Sequence, residues 1–83
     1  QIKELNNFVQ LYPMPAQSNI KVMSKYPVSG YSILNIGGQI IEHKDFMTLN
    51  NVFEINVSNL AGGIYLLQIL TQNGITLEKF NKL

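Results

Sequence analysis

The chain lacks cysteine and tryptophan, and it has few charged side chains. The absence of cysteine excludes disulfides, thiolate metal sites and cysteine nucleophiles. Charged residues make up 13% of the chain, and the net charge is +1. Nucleic acids are captured by clustered lysines and arginines, so this charge pattern argues against nucleic-acid binding. No apolar run approaches the ~18 residues that a membrane-spanning helix needs.

The composition predicts one folded domain. The chain has 83 residues, of which 46% are hydrophobic, and this length fits a single domain with a modest core. The sequence begins at Gln1 rather than at Met and shows no signal-peptide pattern at its start. We interpret it as a piece of a longer protein, with any catalytic domain lying upstream.

Apolar residues recur at every second position, which is the period of a half-buried strand. The clearest case places Phe53, Ile55 and Val57 on one face and Glu54 and Asn56 on the other. Seven short strands at short spacing predict an all-β fold, an immunoglobulin-like antiparallel β-sandwich with Greek-key connections. The predicted strands cover residues 8–11, 19–24, 31–36, 39–43, 52–57, 63–71 and 75–81.

Turn residues separate these strands. Asn73-Gly74 is the preferred pair for a two-residue type I′ hairpin, and Gly37-Gly38 marks a second turn. The charged segment 42–51 predicts an exposed loop.

Two further expectations concern the start of the chain. Pro13 and Pro15 lack backbone N–H donors, so the segment that holds them should run along the edge of a sheet. Residues 2–9 are the one helical candidate.

The sequence offers little for catalysis or metal binding. His43 is the single histidine, flanked by Glu42 and Asp45. A zinc site needs three or four ligands, and on a strand Glu42 and His43 point to opposite faces. A serine triad needs a base and an orienting carboxylate, and no G-x-S-x-G motif is present. We therefore predict no enzyme activity, no cofactor, no metal and no small-molecule substrate.

The segment around Tyr65 has the most specific local pattern. Leu60 anchors a turn, Gly63 permits a sharp bend, and Tyr65 opens the next strand. A tyrosine in this position can donate its hydroxyl hydrogen to a backbone carbonyl a few residues upstream and fix the corner. On the strand that follows, Ile64 and Leu66 form part of an apolar stripe on the second face. Such a stripe marks a partner contact or is covered by the N-terminal segment, and both interpretations stay open.

Four blocks in order resemble the type IX secretion system C-terminal sorting domain, type A. Residues 11–16 look like its opening LYPNPA, with Met14 where the family has Asn. Residues 31–41 look like its central strand and turn, and residues 55–66 are similar to its I-x-V-S-x-L-x-x-G-x-Y signature. Residues 74–82 are similar to its closing G-x-x-x-x-K-[FV]-x-[KR]. The blocks extend over nearly the whole chain.

The resemblance implies a sorting domain at residues 11–83, joined by a linker at residues 1–10 to an upstream cargo domain. It implies export in Bacteroidota through the periplasm and the outer membrane, for cargo that is secreted or held at the cell surface. The implied partners are the type IX translocon with its outer-membrane shuttle components and a sortase-like C-terminal signal peptidase. The residues that we expect to carry recognition are Pro13, Pro15, Gly38, Leu60, Gly63, Tyr65, Lys79, Phe80 and Lys82.

An alternative function is that of an immunoglobulin- or fibronectin-like spacer, or of a carbohydrate-binding module, in a secreted enzyme or adhesin. Sugar binding by small β-domains relies on exposed aromatic rings. This chain has no tryptophan and four tyrosines, which we expect to be used mainly in core and corner packing.

Overall fold

The computed structural model describes residues 8–83. These residues form antiparallel strands and turns, and none of them is helical. No helix within this range is therefore long and apolar enough to cross a membrane. The strands are β1 (Val9–Tyr12), β2 (Asn19–Asn35), β3 (Ile40–Asn56), β4 (Gly63–Thr71) and β5 (Gly74–Lys82).

Strand β2 organises the sheet. Strand β3 runs along one side of β2 for most of its length, while β1 and β4 share the other side, one after the other. Strand β5 then pairs with β4. The five strands thus form one continuous, curved sheet that resembles half of a barrel.

Two bulges let β2 and β3 bend together. Between the pairs Met23–Val52 and Val28–Asn50, β2 advances by five residues and β3 by two. Between Val28–Asn50 and the pair Gly30–Asp45, β3 advances by five residues and β2 by two. The two excesses are equal and opposite, so β2 and β3 regain their original register beyond the bend. The alternation changes phase there, because the buried β2 residues are Ile20 and Val22 before the bend and Tyr31 and Ile33 after it.

Gly30 occupies the tightest point of this bend. A Cβ atom at this position would lie 2.5 Å from the backbone oxygen of Lys44. That separation is far below a normal contact, so only glycine lets the two backbones approach in this way.

The concave side of the sheet holds the core. Tyr31 lies between two phenylalanines, stacked on Phe53 with ring centroids 5.9 Å apart and tilted against Phe46 at 6.0 Å. The other buried apolar side chains come from all five strands and the segments between them, so one core serves the whole curved sheet. They are Val9, Ala16, Ile20, Val22, Val28, Ile33, Ile55, Val57, Leu67, Ile69 and Phe80.

The prediction of seven short strands is wrong, because the structure has five. The predicted strand at 19–24 and all but the last residue of that at 31–36 lie within β2. Those at 39–43 and 52–57 lie within β3 except for Gln39 and Val57. The predicted loop at 42–51 therefore lies within β3. Both strands continue through the bend at their bulges, so the two halves of the fold share strands. The all-β, antiparallel class is confirmed, whereas an immunoglobulin-like Greek-key sandwich is not.

The turns follow the sequence closely. The β4–β5 hairpin is confirmed, with its two-residue loop at Gln72 and Asn73, one position earlier than predicted, because Thr71 pairs with Gly74. The turn between β2 and β3 is also confirmed. Here the Asn35 side-chain oxygen accepts hydrogen bonds from the backbone N–H of Gly37 and Gln39, at 2.9 and 3.0 Å.

The proline segment follows edge strand β1, as predicted, and brings Ala16 to the end of β5. Pro13 and Pro15 are exposed, and both of their peptide bonds are cis. Ala16 is fully buried. Its N–H donates to the Asn81 carbonyl at 2.7 Å, and its carbonyl accepts from the Leu83 N–H at 2.8 Å. This parallel contact joins the start of the fold to its end.

Most of the predicted helix lies outside the described residues, since only positions 8 and 9 of the range 2–9 fall inside them. Val9 belongs to β1. The same limit applies to most of the predicted linker at residues 1–10.

Replacing Gly30 by alanine should destabilise the fold by about 1–3 kcal/mol, because the new methyl group would collide with the Lys44 backbone. Thermal unfolding of the two proteins measures this difference. Gly62→Ala is the matched control. Its Cβ would meet its nearest atom at 3.4 Å, so we expect a change within about 0.5 kcal/mol. Equal melting of Gly30→Ala and the parent would contradict the close approach.

Candidate recognition surface

The structure brings the predicted recognition residues, except Lys79, to one end of the sheet, where β2 ends, β4 begins and β5 ends. Gly63 pairs with Lys82, and Tyr65 pairs with Phe80. Tyr65 also pairs on its other side with Asn35, which opens the turn that contains Gly38. We call this region the motif end. Its residues are Pro13–Ala16, Asn35–Gly38, Leu60–Tyr65 and Phe80–Leu83.

The corner before β4 has the predicted geometry. The Tyr65 hydroxyl donates to the Ala61 carbonyl at 2.6 Å, and its ring stacks on Phe80 with centroids 5.5 Å apart. Leu60 packs against the core, and its N–H donates to the Val57 carbonyl at 3.0 Å. Gly63 has a φ of 152°, in the region that favours glycine. The corner is therefore a rigid, hydrogen-bonded unit.

The last strand presents one lysine to solvent and buries the other. Lys79 is exposed, whereas Lys82 is nearly buried and its Nζ donates to the Leu83 carbonyl at 2.9 Å. Phe80 is 1% exposed. Of the three predicted recognition residues on this strand, only Lys79 has a side chain that a partner can reach from solvent.

Ala16 is a residue of this end that the sequence analysis did not single out. It appears in the opening block, but its role depends on hydrogen bonds to residues 65 or more positions away. A small apolar residue directly after the prolines is a weak signal by itself. The signal becomes strong only when the end of β5 is known to lie beside it.

The apolar stripe on β4 continues onto β5 and remains uncovered by residues 8–83. Leu70 pairs with Ile75, and Leu66 pairs with Lys79. Ile75 and Leu77 are each more than half exposed, at 54% and 55%. We call the surface formed by Ile64, Leu66, Leu70, Ile75 and Leu77 the outer face. Cover by residues 9–12 is not observed, because β1 pairs with the opposite half of β2.

Ser32, His43 and Asp45 form an unexpected chain of hydrogen bonds on the same outer side of the sheet. Ser32 Oγ lies 2.7 Å from His43 Nδ1, and His43 Nε2 lies 2.9 Å from Asp45 Oδ1. With the ring proton on Nε2, His43 donates to Asp45 and accepts from the Ser32 hydroxyl. The sequence pattern does not indicate this group, because the charged residues 42–51 predict a loop.

This chain of hydrogen bonds lacks the other parts of a nucleophilic site. Ser32 is 2% exposed, so a substrate carbonyl has no path to its hydroxyl. Its backbone lies in the middle of three paired strands, between His43 and Gln68. An oxyanion hole needs N–H donors that are not already bound in a ladder. The group therefore fastens β3 to β2.

Glu42 and His43 point to opposite faces, as the alternation predicts. Glu42 turns to the core side, where the Tyr31 hydroxyl donates to its Oε2 at 3.1 Å. Burial, together with the charge and the hydrogen bond of Glu42, raises the pKa of Tyr31 to about 12. Within residues 8–83, no three histidine or acidic side chains lie close enough together to hold a metal ion.

An open groove of about 280 Å³ lies beside β1. The Lys25 ammonium stands 5.0 Å from the centre of the Phe8 ring, and Tyr26 is tilted against the same ring at 5.1 Å. Lys25 and Tyr26 thus occupy the Phe8 ring, on whose face a sugar would stack. The groove is lined by Phe8, Gln10, Met23, Ser24, Lys25 and Val52.

Comparison with known families identifies the chain. The profile of the family described as "Secretion system C-terminal sorting domain" matches residues 10–82. A search of the curated proteins finds no match. Because the family match covers most of the chain, the chain belongs to this family, whose members are C-terminal sorting signals of type IX secretion. Such a signal implies interaction with the type IX machinery and export by way of the outer membrane.

Replacing Tyr65 by phenylalanine should lower the free energy of unfolding by about 1 kcal/mol, because the bond to the Ala61 carbonyl is lost. In a domain of this size the melting temperature should fall by about 4–8 °C. Tyr12→Phe is the control, since Tyr12 is exposed and its hydroxyl makes no hydrogen bond within residues 8–83. Equal melting of both variants would contradict a stabilising corner bond.

Tyr31 should titrate with a midpoint of about 12, against the ordinary value of 10.0. The folded state favours the neutral hydroxyl, so Tyr31 contributes its full stabilisation below pH 10 and loses it as the pH rises toward 12. Absorbance of tyrosinate at 295 nm follows the titration, and Tyr31→Phe identifies the late step by removing it. Glu42→Gln should lower the midpoint. A midpoint near 10 in the parent would contradict this environment.

Proposed function

We propose that this domain directs a covalently attached cargo protein through the type IX translocon and across the outer membrane. The cargo joins the domain through the predicted linker at residues 1–10, whose last two residues, Val9 and Gln10, already belong to β1. A sortase-like signal peptidase then removes the sorting domain at residues 11–83, and the cargo is secreted or held at the cell surface of a Bacteroidota cell. The domain itself carries no catalytic step in this scheme.

The observation that carries this proposal is the family match over residues 10–82, combined with the meeting of its sequence blocks at the motif end. Ala16 from the opening block bonds to Asn81 and Leu83 at the end of the chain. Tyr65 from the signature block stacks on Phe80. A translocon that binds the motif end would bind a surface that exists only in the folded domain.

Fusion of residues 1–83 to a fluorescent protein with an N-terminal Sec signal tests the proposal in a host that has the type IX system. We expect fluorescence in the medium or at the cell surface. The same fusion without residues 1–83 should remain in the periplasm and serves as the control. Retention of a folded fusion in the periplasm would contradict the proposed function.

Deleting Asn81–Leu83 should abolish export of the same fusion. The deletion removes both hydrogen-bond partners of Ala16 and leaves a buried N–H without an acceptor. Leu83→Ala is the matched variant, because the contact of Leu83 with Ala16 runs through its backbone N–H. That variant should be exported like the parent. Unchanged export of the deletion variant would show that the export machinery does not recognise the end of β5.

A further inference from the structure

Strand β5 has a free edge along most of its length. It pairs with β4 in a regular register from Gly74 to Lys82, and on its other side only the end of the strand has a partner within residues 8–83. That partner is Ala16, which bonds to the Asn81 carbonyl and to the Leu83 N–H.

These two bonds fix the direction of every backbone group on β5. In an antiparallel pair, successive residues direct their N–H and C=O groups alternately toward and away from the neighbouring strand. Since Asn81 and Leu83 direct theirs away from β4, the same holds for Ile75, Leu77 and Lys79. These three residues thus leave a row of backbone donors and acceptors on a side where no other described strand lies. We call Ile75–Lys79 the open edge.

The other two edges of the sheet are protected in ways that the open edge is not. Strand β3 carries a bulge at residues 46–49, which interrupts a regular ladder along its outer side. Strand β1 has four residues and is followed by Pro13. Bulges, prolines and short length all discourage a further strand from adding. The open edge has no bulge and no proline, and it exposes Ile75 and Leu77.

We propose that the open edge binds an extended segment of the export machinery, which adds to the sheet as a further strand. This inference rests on the proposed function, which supplies the partner. Side chains of the added strand that lie opposite Ile75 and Leu77 extend the outer face and are apolar. The side chain opposite Lys79 is a carboxylate, because Lys79 is exposed and has no acidic partner among the described residues. Backbone bonds hold such a strand, and alternate side chains select it.

The contact of Ala16 supports this occupant. Ala16 already pairs with the same edge beside Lys82, in parallel orientation. The backbone groups on this side of β5 can therefore bond to a neighbouring segment. A second copy of the domain fits less well. If the open edges of two copies paired along their whole length, the two-fold axis would pass through Leu77. Lys79 of one copy would then lie opposite Ile75 of the other and not opposite an acidic side chain.

Export of Leu77→Pro and Leu77→Thr fusions tests the inference. Proline at position 77 removes an N–H that points away from β4, so the β4–β5 ladder stays intact, whereas the edge loses a donor. Threonine keeps the N–H and the strand propensity but removes the apolar side chain. We expect export of Leu77→Pro to fall about tenfold or more. Export of Leu77→Thr should fall by a clearly smaller factor, because this variant loses one apolar contact but keeps the backbone donor.

Each alternative gives a different pattern. Parental export of both variants would overturn the inference and leave the proposed function intact, whereas failure of the parent fusion itself would contradict the proposed function. Equal loss in both variants would overturn strand addition in favour of side-chain docking on the outer face. A parental dimer in sedimentation that Leu77→Pro dissociates would instead assign the edge to a second copy.

Two further measurements keep the inference testable if Leu77→Pro does not fold. The backbone amides of Ile75, Leu77 and Lys79 should exchange hydrogen rapidly in the free domain, while those of Thr76 and Glu78 should be protected. Protection of the first three in the free domain would overturn the inference. Lys79→Glu should reduce export and Lys79→Arg should preserve it, and parental export of Lys79→Glu would overturn the acidic contact.

Discussion

The fold depends on one strand that is hydrogen-bonded on both sides. Strand β2 holds β3 on one side, and it holds β1 and then β4 on the other. A small domain has little core to spare, and a strand shared by both halves lets one set of buried side chains serve the whole sheet. The bend in β2 must then be matched in β3, which explains the paired bulges and the glycine at position 30, where the backbones nearly touch. Strand β4 pairs with β2 from Val28 onward and holds β5 on its other side.

The sequence blocks that define the family have structural roles at a common place. Asn35 holds the turn before β3, Tyr65 bonds to Ala61, and Ala16 bonds to the end of β5. The first two contacts lie within single blocks and shape the turn and the corner. Contacts between blocks join these units, because Ala16 of the opening block bonds to Asn81 and Tyr65 stacks on Phe80 of the closing block. A receptor that bound this end would therefore bind a surface that exists only in the folded domain.

Alternation and turn chemistry allowed the strand faces, the hairpins and the tyrosine corner to be predicted, because each depends on residues close in sequence. The number of strands was not predictable in the same way. Residues 42–51 look like a loop because they are charged and exposed, yet β2 pairs with them as a strand. The position of each bulge depends on which residues of β2 and β3 lie opposite one another. The contact between Ser32 and His43 depends in turn on the register that the bulges produce. The closure through Ala16 joins residues 65 or more positions apart, and no local pattern encodes it.

The features that prevent strand addition are unevenly distributed over this fold. Strand β1 is short and is followed by Pro13, and β3 carries a bulge at residues 46–49, whereas β5 is regular and holds no proline. Among the described strands only β5 leaves a long, regular edge open, and such an edge exposes a protein to aggregation, so its presence requires a benefit that offsets the risk. Ala16 limits that risk, because it pairs with β5 beside Lys82 and occupies the end of the edge. The part of the edge that remains open to a partner is thereby limited to Ile75–Lys79.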